Sequence, residues 1–368
     1  MTTEEILQEM KMMRDWSNGT YANYELAVQS YEKDTGMTLN QLIDEADEEE
    51  EKGIRMKRRK IKQHLQHFIQ TNKNHLKSSS LRKRVEIISS IYKYHEIECP
   101  HINIPLRISE ERIEDIPTRQ HIKQAILSTN NKRIRALICF MASSGCGSAE
   151  ARNITIQDMM EATKDYHQEI TVQNWIQKLK KTNNIIPIIQ AERQKTKTRY
   201  YMFCTPEAME YIINYLEDRM YNEEITPSDK LFPYSRQGIV QLFERINTRN
   251  NWGKVDTYNF FRAHSLRKFF ATTLTKVRVD FLITEFLLGH KVNKTTAAYY
   301  KLDPQALKIE YMKIMTELTF FGDIHYSDIE SQEKKELELL REKTRNQEER
   351  LRTIEQILRQ GKIKEVEL

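Results

Sequence analysis

A mainly α-helical chain with a small β hairpin is the fold class this sequence predicts, on three observations. Apolar residues recur every three or four positions, as in Tyr21, Tyr24, Val28 and Tyr31, or Ile61, Leu65, Phe68 and Ile69, which gathers them on one helical face. The stretch IIPIIQAERQKTKTRYYMFC holds two β-prone runs around one basic tip, the pattern of a hairpin. At 368 residues the chain has room for two or three domains with cores of their own.

Taken in order, residues 1–105 read as helices. Ser80 is a candidate N-cap for LRKRVEIISSIYKYHEI, with Leu81, Val85, Ile88 and Ile91 on one face and Arg82, Lys83 and Arg84 beside them. Residues 106–117 lie in a proline-punctuated stretch without a long period, which reads as a linker. A second domain, 118–325, opens with the apolar helix NKRIRALICFMAS, ended by the small-residue turn SSGCGSAEARN. Thr205 as N-cap and Pro206 at the first helical position start TPEAMEYIINYLEDR. From 326 to 368, Leu337, Leu340, Thr344, Gln347, Leu351, Ile354 and Leu358 form a heptad seam with two polar breaks. That seam suits a coiled coil or a lone amphipathic helix docked on the body.

Composition narrows the function. No apolar run approaches the roughly 18 residues of a membrane span. The opening MTTEEILQEMKMM is acidic and lacks a secretory h-region, so a cytoplasmic protein without a membrane partner is expected. Four cysteines, Cys99, Cys139, Cys146 and Cys204, show no C-x-x-C pairing; reduced thiols and no metal are the expectation. Net charge is only +5, but an acidic block (Asp44 to Gly53) is followed directly by a basic one (Ile54 to Gln63). Arg55, Lys57, Arg58, Arg59, Lys60 and Lys62 on a helix fit a surface that tracks phosphates, and Arg82, Lys83 and Arg84 extend it.

The chemistry concentrates in FRAHSLRKFFATTL and FLLGHKVNKTTAAYYKLDPQ. His264 and Arg267, three apart, share a helical face. Gly289 ends the next helix and leaves His290 just outside it. Tyr299 and Tyr300 follow before Pro304 restarts a helix. A cation, two imidazoles and a phenol within about 40 residues suit phosphoryl transfer to tyrosine, in which the phenol attacks phosphorus and the arginine neutralises its oxygens.

In this order, H-x-x-R (His264 to Arg267), L-G-H (Leu288 to His290) and a tyrosine nine residues on (Tyr299), the sequence resembles the tyrosine recombinases, the phage-integrase and Xer-like enzymes, and archaeal integrases in particular. The resemblance runs from about Asn18 to Leu318. It implies a helical core-binding domain at 1–105 and a tyrosine recombinase catalytic domain at 118–325. It further implies a site-specific integrase of a mobile element that acts as a homo-tetramer on double-stranded DNA attachment sites, with no cofactor and with a directionality factor left open. Tyr299 would be the nucleophile, with Tyr300 as its alternative. Arg267 would clamp the scissile phosphate, His264 and His290 would bind it or move protons, and Lys195 would be the general acid, with Lys197 as its alternative.

Against that pattern the turn departs at one place. Where the family carries a further arginine, this chain has Gly147, or Ser148 in the archaeal-type register, although the acidic residue that follows is present as Glu150. Loss of one such cation from a phosphoryl-transfer site is worth on the order of 10³ to 10⁵ in rate. A catalytically impaired DNA-binding relative is therefore the alternative reading, with Arg152 and Arg135 as the nearby cations that could compensate.

Overall fold

Hydroxyl side chains set the helix starts of the N-terminal part. Thr2, Ser17 and Thr38 accept from the backbone N–H groups of Glu5, Thr20 and Gln41, satisfying donors that a helix start leaves unpaired. They begin α1 (Thr3–Met13), α2 (Asn18–Thr35) and α3 (Leu39–Glu51). The computed structural model describes residues 1–104, 112–193, 198–292 and 303–322. Two units, Met1–Glu111 and Arg112–Leu368, each fold around a core of their own.

In the first unit, α4 (Lys60–Asn72) and α5 (Ser78–Tyr94) complete the helices. α5 begins before the expected cap: Lys77 holds the cap position and Ser80 lies inside the first turn. Met10, Val28, Tyr31, Leu42, Leu65, Phe68, Ile88 and Ile91 are buried together, all on the inward faces of their helices.

The basic block is not one solvated helix face. A 3-10 turn (Met56–Arg58) precedes α4, and the charges divide between two tasks. Arg55, Lys57 and Arg58 are exposed, and so are Arg82 and Lys83 on α5. Arg59, by contrast, is buried. Its Nε donates to Ile54 O at 2.8 Å and its Nη1 to Glu50 Oε2 at 2.9 Å. The expectation that Arg59 presents its charge to a phosphate backbone is corrected here, because that charge ties the basic block to the acidic one. Lys60 pairs with Glu45, and Arg84 donates to Ser30 Oγ. Arg59→Ala should therefore lower the stability of this unit by about 1–3 kcal/mol in urea unfolding of the full chain, while Arg58→Ala leaves it within about 0.5 kcal/mol. Equal losses in the two variants would show that Arg59 is not specially placed.

The second unit is built around α7 (Lys132–Ser144), started by Asn131 and buried at every position from Ala136 to Ser144. A helix apolar on all sides needs neighbours on all sides. α6 (Arg119–Leu127), α11 (Pro206–Asn222) and α13 (Ala263–Lys276) pack against it. Between α7 and α11 run α8 (Ser148–Asn153), α9 (Ile156–Ala162), α10 (Val172–Lys180) and the expected hairpin. Its strands, β1 (Ile189–Glu192) and β2 (Arg199–Met202), pair antiparallel with Glu192 opposite Arg199. A second, two-residue hairpin, Lys254–Val255 with Tyr258–Asn259, follows α12 (Arg236–Arg249) and was not foreseen. α11 starts as expected, with Thr205 as cap and Pro206 in the first turn.

The chain then runs through α14 (Phe281–Leu287) and α15 (Pro304–Ile314) to a closing 3-10 turn. Tyr311 on α15 donates to Ser143 O at the end of α7. The buried carboxylate of Glu207 accepts from the N–H groups of Phe320 and Phe321, both at 2.7 Å, and burial pushes its pKa up. The predicted heptad segment from 326 onward lies outside the described residues.

Candidate phosphate-binding site

The turn after α7 fixes one wall of the site. Gly145 closes the helix in the left-handed conformation at φ +65°, with its N–H on Met141 O, as a helix C-cap requires. Gly147 then caps α8, and Glu150 is buried in the first turn of that helix. Carboxylates are favoured there by the helix dipole.

α13 supplies the opposite wall. Ser265 Oγ accepts from Arg262 N–H and so starts the helix. His264 is exposed in the first turn, and Arg267, one turn on, is buried. Arg267 Nη1 donates to Gly145 O at 2.9 Å and Nη2 to Leu288 O. One guanidinium thus holds the turn after α7 and the turn after α14 in register. Burial first, and Arg193 second, pull its pKa below the ordinary arginine value; arginine remains protonated throughout the accessible pH range.

The third wall is the α14 exit. Gly289 takes φ +62°, with the Tyr200 ring where a Cβ would stand. His290 follows at the surface side. Its Nδ1 lies 3.0 Å from Glu285 Oε1. A carboxylate can only accept, so Nδ1 carries the proton and Nε2 is the nitrogen left for other partners.

A residue that sequence reasoning passed over stands among these walls. Arg193 leaves the base of the hairpin, and its Nη1 donates to Leu288 O at 3.2 Å, the same carbonyl that Arg267 holds. Its Nε is 3.8 Å from Glu150 Oε1 and, though buried, finds no hydrogen-bond acceptor among the described residues. The two cations named as compensators point elsewhere. Arg152 Nε donates back to Ser148 O, and Arg135 binds Thr129 O and Asn130. Among the described residues, the site therefore brings together Arg267, Arg193, Glu150 and the Leu288 to His290 turn. Tyr299, Tyr300, Lys195 and Lys197 lie outside the described residues.

Two guanidiniums that share one carbonyl beside Glu150 repel each other, and an anion would relieve the repulsion. Burial also pushes the neighbouring Cys146 thiol up to about 12, so this sulfur stays protonated and is no competing nucleophile at neutral pH.

The segment that forms this site is matched by a family model. The Phage integrase family model covers residues 108–306, more than half of the chain. The chain belongs to the phage integrase family.

With it comes the class of tyrosine site-specific recombinases. The tyrosine recombinase XerC of Lactobacillus delbrueckii subsp. bulgaricus is 23% identical over 254 residues, spanning 64% of this chain and 76% of the relative. Among solved structures, an integrase of transposon Tn1549 in complex with transposon right end DNA shares 12% identity at a TM-score of 0.50, covering 85% of this chain and 99% of that one. A lambda integrase dimer bound to a core site shares 16% identity at 0.46, covering 82% and 96%. The Tn1549 likeness supports the mainly helical integrase fold. No helix among the described residues is long and apolar enough to cross a membrane.

Proposed function

We propose that this integrase-family protein cleaves and rejoins double-stranded DNA at attachment sites through a 3′-phosphotyrosyl intermediate, in the integration or excision of a mobile element. The observation that carries the reading is the convergence of Arg267 and Arg193 on Leu288 O beside His290, an anion site inside the family's matched segment. The Tyr299 phenol passes its proton to a histidine, His264 or His290, and attacks the scissile phosphorus as the bond from phosphorus to the 5′ oxygen breaks. Lys195 gives that oxygen its proton, and a 5′-hydroxyl departs. Attack by a 5′-hydroxyl on the phosphotyrosine reverses the step and releases the phenol. One phosphodiester-type bond is exchanged for another, so the energy of the linkage is kept through the intermediate. Arg267 neutralises the oxygens that gain charge, and His264 and His290 hydrogen-bond them or pass protons.

Residues 1–105 act as the core-binding domain, joined by the 106–117 linker to the catalytic domain at 118–325. Arg55, Lys57, Arg58 and Lys62, with Arg82, Lys83 and Arg84, contact the DNA backbone, and four copies assemble on two duplexes. The Tn1549 integrase, solved in complex with transposon right end DNA, supports DNA as the partner.

The second reading, a DNA-binding relative that does not cleave, is favoured by Gly147 standing where an arginine was expected. A nicked attachment-site duplex separates the two. The recombinase reading expects a covalent protein–DNA adduct whose modified peptide maps to Tyr299. Salt-sensitive binding with no adduct, from the natural chain and from Gly147→Arg and Ser148→Arg alike, would establish the non-cleaving one.

A further inference from the structure

We propose that Arg193 is the second phosphate-binding guanidinium of this site, reaching in from the hairpin to supply the charge that the 145–150 turn lacks. The inference rests on the recombinase reading and adds a residue to it.

Position comes first. The Arg193 N–H donates to Thr198 O at 2.8 Å, which continues the β1–β2 ladder by one step past Glu192 and Arg199. The side chain thus leaves from a paired backbone and reaches both Leu288 O and the Glu150 carboxylate. Arg267 donates to that same Leu288 carbonyl. A shared acceptor sets the two guanidiniums next to each other, which suits a pair of non-bridging oxygens on one phosphorus.

Gly147 belongs to the same arrangement. A Cβ there would fall on Glu150 Oε2 and lie 3.4 Å from Glu150 Cδ. With hydrogen in its place, the carboxylate folds back over the start of α8 and faces Arg193. An arginine at 147 would have to push that carboxylate away from its cation. Glycine at 147 and arginine at 193 are thus two halves of one solution. The cation that answers the buried acid comes from 43 positions downstream instead of three upstream.

Charge supplies the chemical reason. A phosphodiester carries one negative charge, and its five-coordinate transition state gathers more on the non-bridging oxygens. A single buried guanidinium leaves the added charge unmatched, whereas two placed in advance match it without reorganisation. Among the described residues the Arg193 Nε has no acceptor, which leaves it as a donor for such an oxygen.

The experiment compares adduct formation on nicked duplexes carrying either the natural phosphate or an uncharged methylphosphonate at the scissile position. Arg193→Gln keeps a donor and most of the stem but removes the charge, and Arg193→Lys restores the charge without the fork. On phosphate, Arg193→Gln should cleave about 10²- to 10³-fold more slowly, with Arg193→Lys between it and the natural chain. On methylphosphonate, Arg193→Gln should come within about tenfold of the natural chain, because the charge being matched is gone. An equal loss on both substrates would mean that Arg193 only holds the hairpin in place, and the inference falls. Unchanged cleavage in Arg193→Gln overturns it as well, while the recombinase reading stands. Failure of the natural chain to form an adduct on either duplex removes the recombinase reading itself, and this inference with it.

Discussion

Arg267→Ala is expected to slow adduct formation by about 10³- to 10⁵-fold and to destabilise the second unit at the same time. The two losses have different origins. On the proposed function, the rate falls because the buried cation assigned to the phosphate is gone. Stability falls because Arg267 joins Gly145 O to Leu288 O. Leu288 O keeps a donor in Arg193 Nη1, but Gly145 O loses the Arg267 donor, at about 1–3 kcal/mol. Arg267→Lys separates the two effects. One ammonium cannot span both carbonyls, yet it returns the positive charge, so cleavage should recover further than stability does. Affinity for intact duplex should drop by less than about tenfold, since one phosphate contact among many is removed. Cleavage by Arg267→Ala within tenfold of the natural chain would show that this arginine does not meet the scissile phosphate.

How much of this was legible in the sequence depended on distance along the chain. His264 and Arg267 sit one helical turn apart, and Leu288, Gly289 and His290 are consecutive, so local spacing was enough to bring each group out. The helix stops at Gly145 and Gly289 were equally readable, because left-handed caps favour glycine. Arg193 was not readable. Its partners Glu150 and Leu288 lie 43 and 95 positions away, and nothing in ERQKTKTR marks the first arginine over the lysines that follow. The gap at 147 points to the cations nearest it in sequence, whereas folding brings a guanidinium to Glu150 from the hairpin. Arg59 failed for a related reason. Charge periodicity shows that a block is basic but not which member turns inward, and Glu50 decides that only once α3 and the chain after it fold back together.

The other large effect is expected at Gly145, where backbone and packing act on the same atom. Alanine there must adopt φ +65°, which costs an L-residue about 1–2 kcal/mol. The new Cβ would also stand 2.7 Å from Phe270 Cγ, in a ring that is 1% exposed and cannot swing out. Overpacking of this kind adds about 1–3 kcal/mol. Together they amount to about 2–5 kcal/mol and a thermal midpoint lower by about 5–15 °C. Phe270 lies one turn beyond Arg267 on α13, so relief by moving that helix would draw the guanidinium off Gly145 O. Gly145→Ala should therefore slow cleavage as well, although the added methyl reaches no phosphate. Phe270→Leu in the same chain tests whether the ring carries the effect. Leucine leaves room for the methyl, so the double variant should retain only the backbone cost, and the coupling between the two sites should be about 1–3 kcal/mol. Strict additivity would mean that backbone conformation alone makes glycine necessary at 145, and that the ring stacked on the turn has no part in holding Arg267 against it.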